Sequence, residues 1–485
     1  MNDAEREGAS PSAADPLAQL DASEQASLVA RGELSAGELV EAACRRIERV
    51  DGLLGAVPIR LFDEAIELAR SGESAPGPFA GVPFLMKDVG ARQAGQPYYA
   101  ANRALMEADH RAAADTPLGA RFRRVGLVTV GKSSAPEFGL QSNTWPLVYG
   151  PTRNPWDPRR AAGGSSGGAC AAVAAGLVPV AHASDGAGSI RIPAAWCGLV
   201  GLKPTRDRVV WRHAGKGVPT SSSSSHARCG TRPPCSTPCA RGRAERPGGG
   251  SSGRLSNDRS SGCGSEVLTE SPGEAAVDPD CRALVLEWAD RASDAGHFVE
   301  AGGPASLCEY AERALHGAVL GPIEYRACLD ELEERLGRAA GPGDVEPYLW
   351  ELSQLAVGTS PAAAAAAMRW NEAWVARTLS FFEDCDVLLT PTVAEPAPLL
   401  EALDPERHDP LALLEKMVPH MAFTEPWNAT GQPALTLPLG RTRAGLPIGL
   451  QLVGRRGAEA RLIGLAAELL ARSPEASRAR PPIHA

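Results

Sequence analysis

Two short turns built almost wholly from glycine, serine and alanine constrain this chain more than any other feature, because each presents a serine and the two serines lie 24 residues apart. The first turn, Gly163 to Gly168, opens the Ala-rich helical sequence 169–175 and leads into a strand-like run at 177–181. The second, Asp185 to Ser189, follows that run, so the turns stand at opposite ends of one helix–strand unit. Glycine is required where backbone takes positive φ or must approach another group closely. Successive exposed N–H groups in such a turn form a nest for negative charge. Gly186, Ala187, Gly188 and Ser189 are therefore candidates for an oxyanion hole, and Ser189 for a nucleophile.

An alcohol nucleophile needs a base. The nearby histidine, His182, reads as a packed or capped residue rather than a catalyst, which leaves lysine. Lys87 sits in the apolar run Gly81-Val-Pro-Phe-Leu-Met-Lys-Asp88, which would place its amine inside the protein. Desolvation lowers a lysine pKa towards the range a general base requires. The structural alternative for such a lysine is a buried ion pair, here with Asp88.

The surrounding sequence alternates helical and strand-like stretches. Ser35 and Glu38 form a capping box ahead of Leu39, Val40, Ala43, Ile47 and Val50 at helical spacing. Short apolar runs at 127–130, 387–389 and 434–439 are separated by long helical stretches at 311–336 and 362–382. This pattern predicts an α/β fold with a mixed central sheet covered by helices on both faces. Gly126 to Ser133 matches the P-loop pattern letter by letter, but its four middle residues are strand formers and no Mg²⁺-binding aspartate strand accompanies them, so it is read as a strand.

Charge and composition exclude other roles. With a formal net charge of −9, the chain does not favour nucleic acid or anionic membranes as partners. Residues 1–5 show neither the basic nor the apolar region of a targeting peptide, and no apolar run approaches membrane-spanning length. Eleven cysteines without paired spacings suggest reduced thiols, and the expected compartment is the cytoplasm. Asn428-Ala429-Thr430 is a glycosylation sequon, which without secretion is read as part of the substrate side.

Taken together, the runs G-V-P-x-x-x-K-D at 81–88, G-G-S-S-G-G at 163–168, D-G-A-G-S-I-R-I-P-A at 185–194 and G-L-V-G-L-K-P-T at 198–205 resemble the amidase signature family. The likeness extends to 131–139, 152–156, 389–392 and 423–454. It implies an amidase-signature fold and an amidohydrolase that cleaves non-peptide, linear or cyclic amide bonds through an acyl-enzyme. In that reading Ser189 is acylated, Ser165 is the cis-peptide serine that relays the proton, Lys87 is the base, and the N–H groups of residues 186–189 hold the oxyanion. Ser166, Asp185 and Arg191 support the triad. Neither metal nor organic cofactor is implied, the partner is a small-molecule amide, and a homodimer is an open option. Within the family, the D-x-A-G-S variant and residues 310–393 point to small or cyclic amides. The family also contains glutaminase-type subunits of amidotransferase complexes, and an inactive relative is a further alternative.

The sequence divides into an N-terminal helical region, 1–75, the signature core, 76–206, an atypical segment, 207–266, and the remainder of the domain, 267–485. Between Pro219 and Glu266 the only large aliphatic residue is Leu255, and four of the eleven cysteines, Cys229, Cys235, Cys239 and Cys263, fall there. Such composition buries too little apolar surface to offset ordering entropy. The cysteine spacings lack the paired pattern of a zinc site. Writing 229–242 in GC-rich codons and reading from one nucleotide earlier yields approximately Val-Arg-Asp-Ala-Ala-Ala-Leu-Leu-Asp-Ala-Val-Arg, an amphipathic helix. That points to two compensating frame changes, the first between about Asp207 and His226 and the return near Val267. Asp207 itself stands where the family's K-P-T-x-G motif has glycine.

Overall fold

Burial alternates in purpose along the strand Pro83–Lys87. Leu85 joins an apolar cluster containing Val40, Ile47 and Ala169 to Ala175, whereas Phe84 and Met86 join a second cluster with Ala22, Leu118 and Phe122. The clusters lie on opposite faces, because successive strand side chains point to opposite sides of a sheet. A sheet buried on both faces is what continuous apolar runs predict.

The computed structural model describes residues 15–73, 75–210, 225–231, 264–273, 275–475 and 479–485. Its described strands are β1 (Ile59–Arg60), β2 (Pro83–Lys87), β3 (Val128–Ser133), β4 (Arg153–Asn154), β5 (Asp157–Ala161), β6 (Val180–Asp185), β7 (Val200–Lys203), β8 (Ser225–Thr231), β9 (Gly264–Val267), β10 (Phe298–Ala301), β11 (Val387–Pro391), β12 (Ala434–Arg441) and β13 (Pro447–Gly454). β4 and β5 pair with each other. The rest form one eleven-stranded sheet in the order β1-β3-β2-β6-β8-β7-β12-β13-β11-β9-β10. Parallel pairs, such as β2 with β3 and with β6, mix with antiparallel ones, such as β12 with β13. The fold is therefore α/β with a mixed sheet, as the alternation predicts.

The helices are α1 (Ala22–Ala30), α2 (Ala36–Val50), α3 (Phe62–Ser71), α4 (Arg103–Glu107), α5 (Pro117–Arg124), α6 (Gly167–Ala174), α7 (Arg191–Cys197), α8 (Pro279–Asp294), α9 (Tyr310–Leu336), α10 (Pro347–Gln354), α11 (Pro361–Phe381), α12 (Pro410–Met421), α13 (Glu425–Ala429) and α14 (Glu459–Ala471). The capping box forms as read: Ser35 accepts from the Glu38 N–H while Glu38 accepts from the Ser35 N–H, satisfying two otherwise orphaned donors. α6 is buried all round, which fits its all-small, all-apolar sequence. Far along the sheet, Leu284, Val285 and Trp288 of α8 and Leu462 and Leu469 of α14 pack on Leu435, Leu437, Leu450 and Leu452.

The P-loop-like stretch is strand β3. Lys132 is buried there, its amine donating to Gln96 Oε1 at 2.7 Å, with Met86 Sδ at 3.5 Å. Of the atypical segment, the backbone of β8 lies between β6 and β7, with Asp185 opposite Ser225, and β9 pairs in parallel with β10 and β11. β6 and β7 would otherwise expose unpaired edges. Residues 211–224 and 232–263, and with them Cys235, Cys239, Cys263 and most of the stretch read in the shifted frame, lie outside the described residues. Asp207 has φ of 64°, a left-handed conformation that suits the glycine expected there from the resemblance and that aspartate tolerates better than most residues. Among the described residues Cys44, Cys197, Cys281, Cys308 and Cys385 are free thiols, but Cys170 on α6 is disulfide-bonded, which departs from the expectation of reduced thiols throughout; its spacing to other cysteines held no sign of this.

Candidate active site

Register delivers the first side chain. Lys87 follows Leu85 by two residues on β2, so it shares the face covered by α6, and the turn before α6 carries Ser165 and Ser166. Lys87 is fully buried, and its Nζ donates to Ser165 Oγ at 2.7 Å, Ser184 Oγ at 2.9 Å and Ser166 Oγ at 3.0 Å. No carboxylate among the described residues lies within ion-pair distance of it. Burial pulls the Lys87 pKa down to about 7, opposed by the more distant charge of Asp185. The alternative pairing with Asp88 does not form. Asp88 instead accepts from the N–H groups of Tyr99 and Ala101 and from the Tyr149 hydroxyl.

The Gly163–Gly168 turn is held from two sides. The peptide bond between Gly164 and Ser165 is cis. Thr144 Oγ1 donates to Gly163 O at 2.8 Å and accepts from Gly167 N at 3.1 Å. A Cβ on Gly164 would fall 2.5 Å from the Asn143 carbonyl, so backbone approach, not flexibility, demands glycine there. Ser166 accepts from Lys87 and from Ser184 N and donates to Ser184 O, so its proton is committed away from the lysine.

β6 ends at Asp185 and hands the chain to the second turn. Asp185 and Arg191 are both fully buried and form a two-pronged pair, Arg191 Nε and Nη2 meeting the carboxylate at 2.9 and 2.8 Å. Burial would raise the Asp185 pKa, but Arg191, Lys203 and Asn428 outweigh it and hold it at about 2. Arg191 also donates to Gln451 Oε1 and Asn428 Oδ1. Ser189 is half-buried, and its carbonyl accepts from Ser166 N at 3.2 Å, which ties the two serine turns together. The N–H groups of Gly186, Ala187, Gly188 and Ser189 have no acceptor among the described residues. Gly188 has φ of 135°, and a Cβ there would sit 2.3 Å from Thr424 Oγ1.

The structure thus gathers Lys87, Ser165, Ser166, Asp185, Arg191 and the 186–189 turn into one region. Sequence reading missed Ser184, the third hydroxyl on Lys87, and Thr144, and placed Thr424, Asn428 and Gln451 only within the general run 423–454, without a role. Ser184 directly precedes Asp185, and strand alternation from Ala183 would put it on the face of His182, so the sequence held no signal for its contact with Lys87. His182 lies on the opposite face of the sheet, its ring 5.4 Å from that of Phe122. Among the described residues no group of histidine, cysteine or carboxylate side chains is arranged to hold a metal ion, and no helix is long and apolar enough to cross a membrane.

The chain has relatives among known proteins. The family model described as Amidase matches residues 38–230 and 267–463. The gap between the two parts falls inside the atypical segment. A 6-aminohexanoate-cyclic-dimer hydrolase of Pseudomonas sp. (strain NK87) is 36% identical, over 94% of this chain and 96% of its own length. A solved 6-aminohexanoate cyclic dimer hydrolase in complex with substrate superposes with a TM-score of 0.82 at 34% identity, covering 96% of this chain and 99% of the other. A bacterial aryl acylamidase of the amidase signature family gives a TM-score of 0.79 at 25% identity, covering 96% and 100% respectively. Fold, site and relatives define an enzyme that hydrolyses carbon–nitrogen bonds other than peptide bonds. More narrowly, the chain belongs to the amidase signature family.

Proposed function

We propose that this amidase works through Ser189 as nucleophile, Ser165 as proton relay and Lys87 as base, with an acyl-enzyme intermediate. The observation that carries the reading is the fully buried Lys87 amine, 2.7 Å from Ser165 Oγ and, among the described residues, without a carboxylate partner. In the neutral amine one contact reverses, and a serine hydroxyl donates to the nitrogen lone pair. Ser166 is excluded from that role because its proton is directed to Ser184 O. Ser165 fills it: it passes its proton to Lys87 while taking one from Ser189, whose Oγ forms a bond to the amide carbonyl carbon. The carbonyl oxygen becomes an oxyanion in the unoccupied N–H groups of 186–189; removing one such donor costs about 3 kcal/mol in comparable sites. Return of the proton through Ser165 to the leaving nitrogen breaks the C–N bond. Water, deprotonated by the same relay, then cleaves the acyl ester and regenerates Ser189.

For substrate, the relatives named as 6-aminohexanoate-cyclic-dimer hydrolases support a small or cyclic amide. The test has two parts. A fluorophosphonate probe should label the wild-type protein and leave Ser189→Ala unlabelled, and the wild type should hydrolyse 6-aminohexanoate cyclic dimer. Labelling of the alanine variant would sink the nucleophile assignment, while labelling without turnover of the cyclic dimer would remove the substrate alone.

A further inference from the structure

The turn that would receive the oxyanion is held only in part by its sequence neighbours. It is gripped from a distant part of the chain, the short helix α13 and the threonine before it. Thr424 Oγ1 donates to the carbonyl of Ala187 at 2.7 Å, and Asn428 Nδ2 donates to the carbonyl of Asp185 at 2.8 Å. A trans peptide is planar, with its C=O and N–H pointing in opposite directions. The peptides at 185–186 and 187–188 are trans, since the cis bond of the described chain is the one at Gly164–Ser165. Fixing the carbonyl of Asp185 therefore aims the N–H of Gly186, and fixing that of Ala187 aims the N–H of Gly188, both away from α13. A third carbonyl, that of Gly188, is bound by Ile192 N at 2.8 Å, which aims the Ser189 N–H in the same manner.

The grip is itself fixed. Arg206 Nη2 donates to the carbonyls of Asn428 and Ala429 at 2.5 and 2.8 Å. Arg313 of α9 pairs with Glu425 and lies over the Trp374 ring at 4.4 Å. Asn428 Nδ2 also reaches Asp185 Oδ1 at 2.9 Å, while its Oδ1 accepts from Arg191. Thr424 and Asn428 are fully buried or nearly so, and both lie more than 230 residues from the turn they hold.

We propose that Thr424 and Asn428 are positioning residues that set the aim of the oxyanion-binding N–H groups, so that α13 is a brace for transition-state charge rather than a substrate-binding wall. The proposal rests on the reading of 186–189 as the oxyanion hole. It differs from a purely structural role because loss of aim changes the rate of attack on a tetrahedral centre and leaves the folded population intact.

The discriminating variant is Thr424→Val, which keeps the shape and removes the donor, with Thr424→Ser restoring it. The second-order rate constant for labelling by a fluorophosphonate is measured for each, alongside Ser189→Ala. The folded fraction lowers an observed rate constant at most in proportion, so a variant shown to be mostly folded by circular dichroism still reports a tenfold change. Loss of one well-aimed donor elsewhere lowers rates by about 100-fold or more, so a mis-aimed one should slow Thr424→Val by about 10-fold or more, with Thr424→Ser close to wild type. Wild-type labelling rates in Thr424→Val, with Ser189→Ala unlabelled, would overturn the brace and leave the triad standing. Equal slowing in Thr424→Val and Thr424→Ser would overturn it too, because shape rather than the hydroxyl would then be responsible. Labelling of Ser189→Ala would instead remove the catalytic reading on which the proposal is built.

Discussion

Lys87 Nζ stands 2.7 Å from Ser165 Oγ although the two residues are 78 positions apart, and the lysine reaches no carboxylate among the described residues. A charged amine buried among hydroxyls alone is poorly solvated, so its neutral form is favoured and its pKa falls to about 7.

That value predicts the pH dependence. A base must be deprotonated to accept a proton, so kcat/KM should fall about tenfold per pH unit below about 7 and level off above it. Lys203 is also buried, with its pKa lowered to about 7, so it offers a second source for such a limb. A pH–rate profile of Lys203→Met distinguishes them: the limb should persist there, and its disappearance would transfer the titration to Lys203.

Gly188 and Ala187 are neighbours with opposite tolerance. The methyl of Ala187 is accommodated, whereas a methyl on Gly188 would meet Thr424 Oγ1 at 2.3 Å in a backbone conformation that L-residues rarely adopt. Gly188→Ala is expected to lower kcat at least 100-fold and to destabilise the fold by about 1–3 kcal/mol from overpacking. Steady-state kinetics and urea unfolding read both effects, and near-wild-type activity would show that the turn has slack that the packing denies.

The buried pair of Arg191 and Asp185 should be costly to break. Arg191→Met leaves a buried carboxylate with only Asn428 and main-chain N–H donors in direct contact, and stability is expected to fall by about 3–5 kcal/mol. Equilibrium urea denaturation measures this, and a change under 1 kcal/mol would mean that the aspartate is protonated or otherwise compensated in the variant.

Much of the site was legible because its glycines, serines and Lys87 sit in contiguous runs whose residue types are dictated locally. Gly164 must be glycine because the Asn143 backbone lies against it, and such a demand shows in sequence as an unbroken small-residue turn. The capping box at Ser35, strand β3 within the P-loop-like run and the long helices α9 and α11 were readable for the same reason, since caps and periodicity act over a few residues. Ser184 was not, because one serine ahead of an aspartate carries no local mark of the lysine it will meet. Thr424, Asn428 and Gln451 were illegible as partners of residues 185–191 for a plainer reason: hydrogen bonds between segments more than 200 residues apart leave no periodicity behind.

Sequence alone therefore determined the chemistry available to this protein, a serine turn, a bare backbone turn and a lysine in an apolar strand, since each depends on residue type and near neighbours. Tertiary structure alone decided which hydroxyls surround that lysine, that Asp88 is not its partner, and which distant side chains hold the carbonyls of Asp185 and Ala187. The reason is geometric. Strand register and sheet order choose which segments meet, and only their meeting sets the direction of a hydrogen bond or the desolvation of a charge.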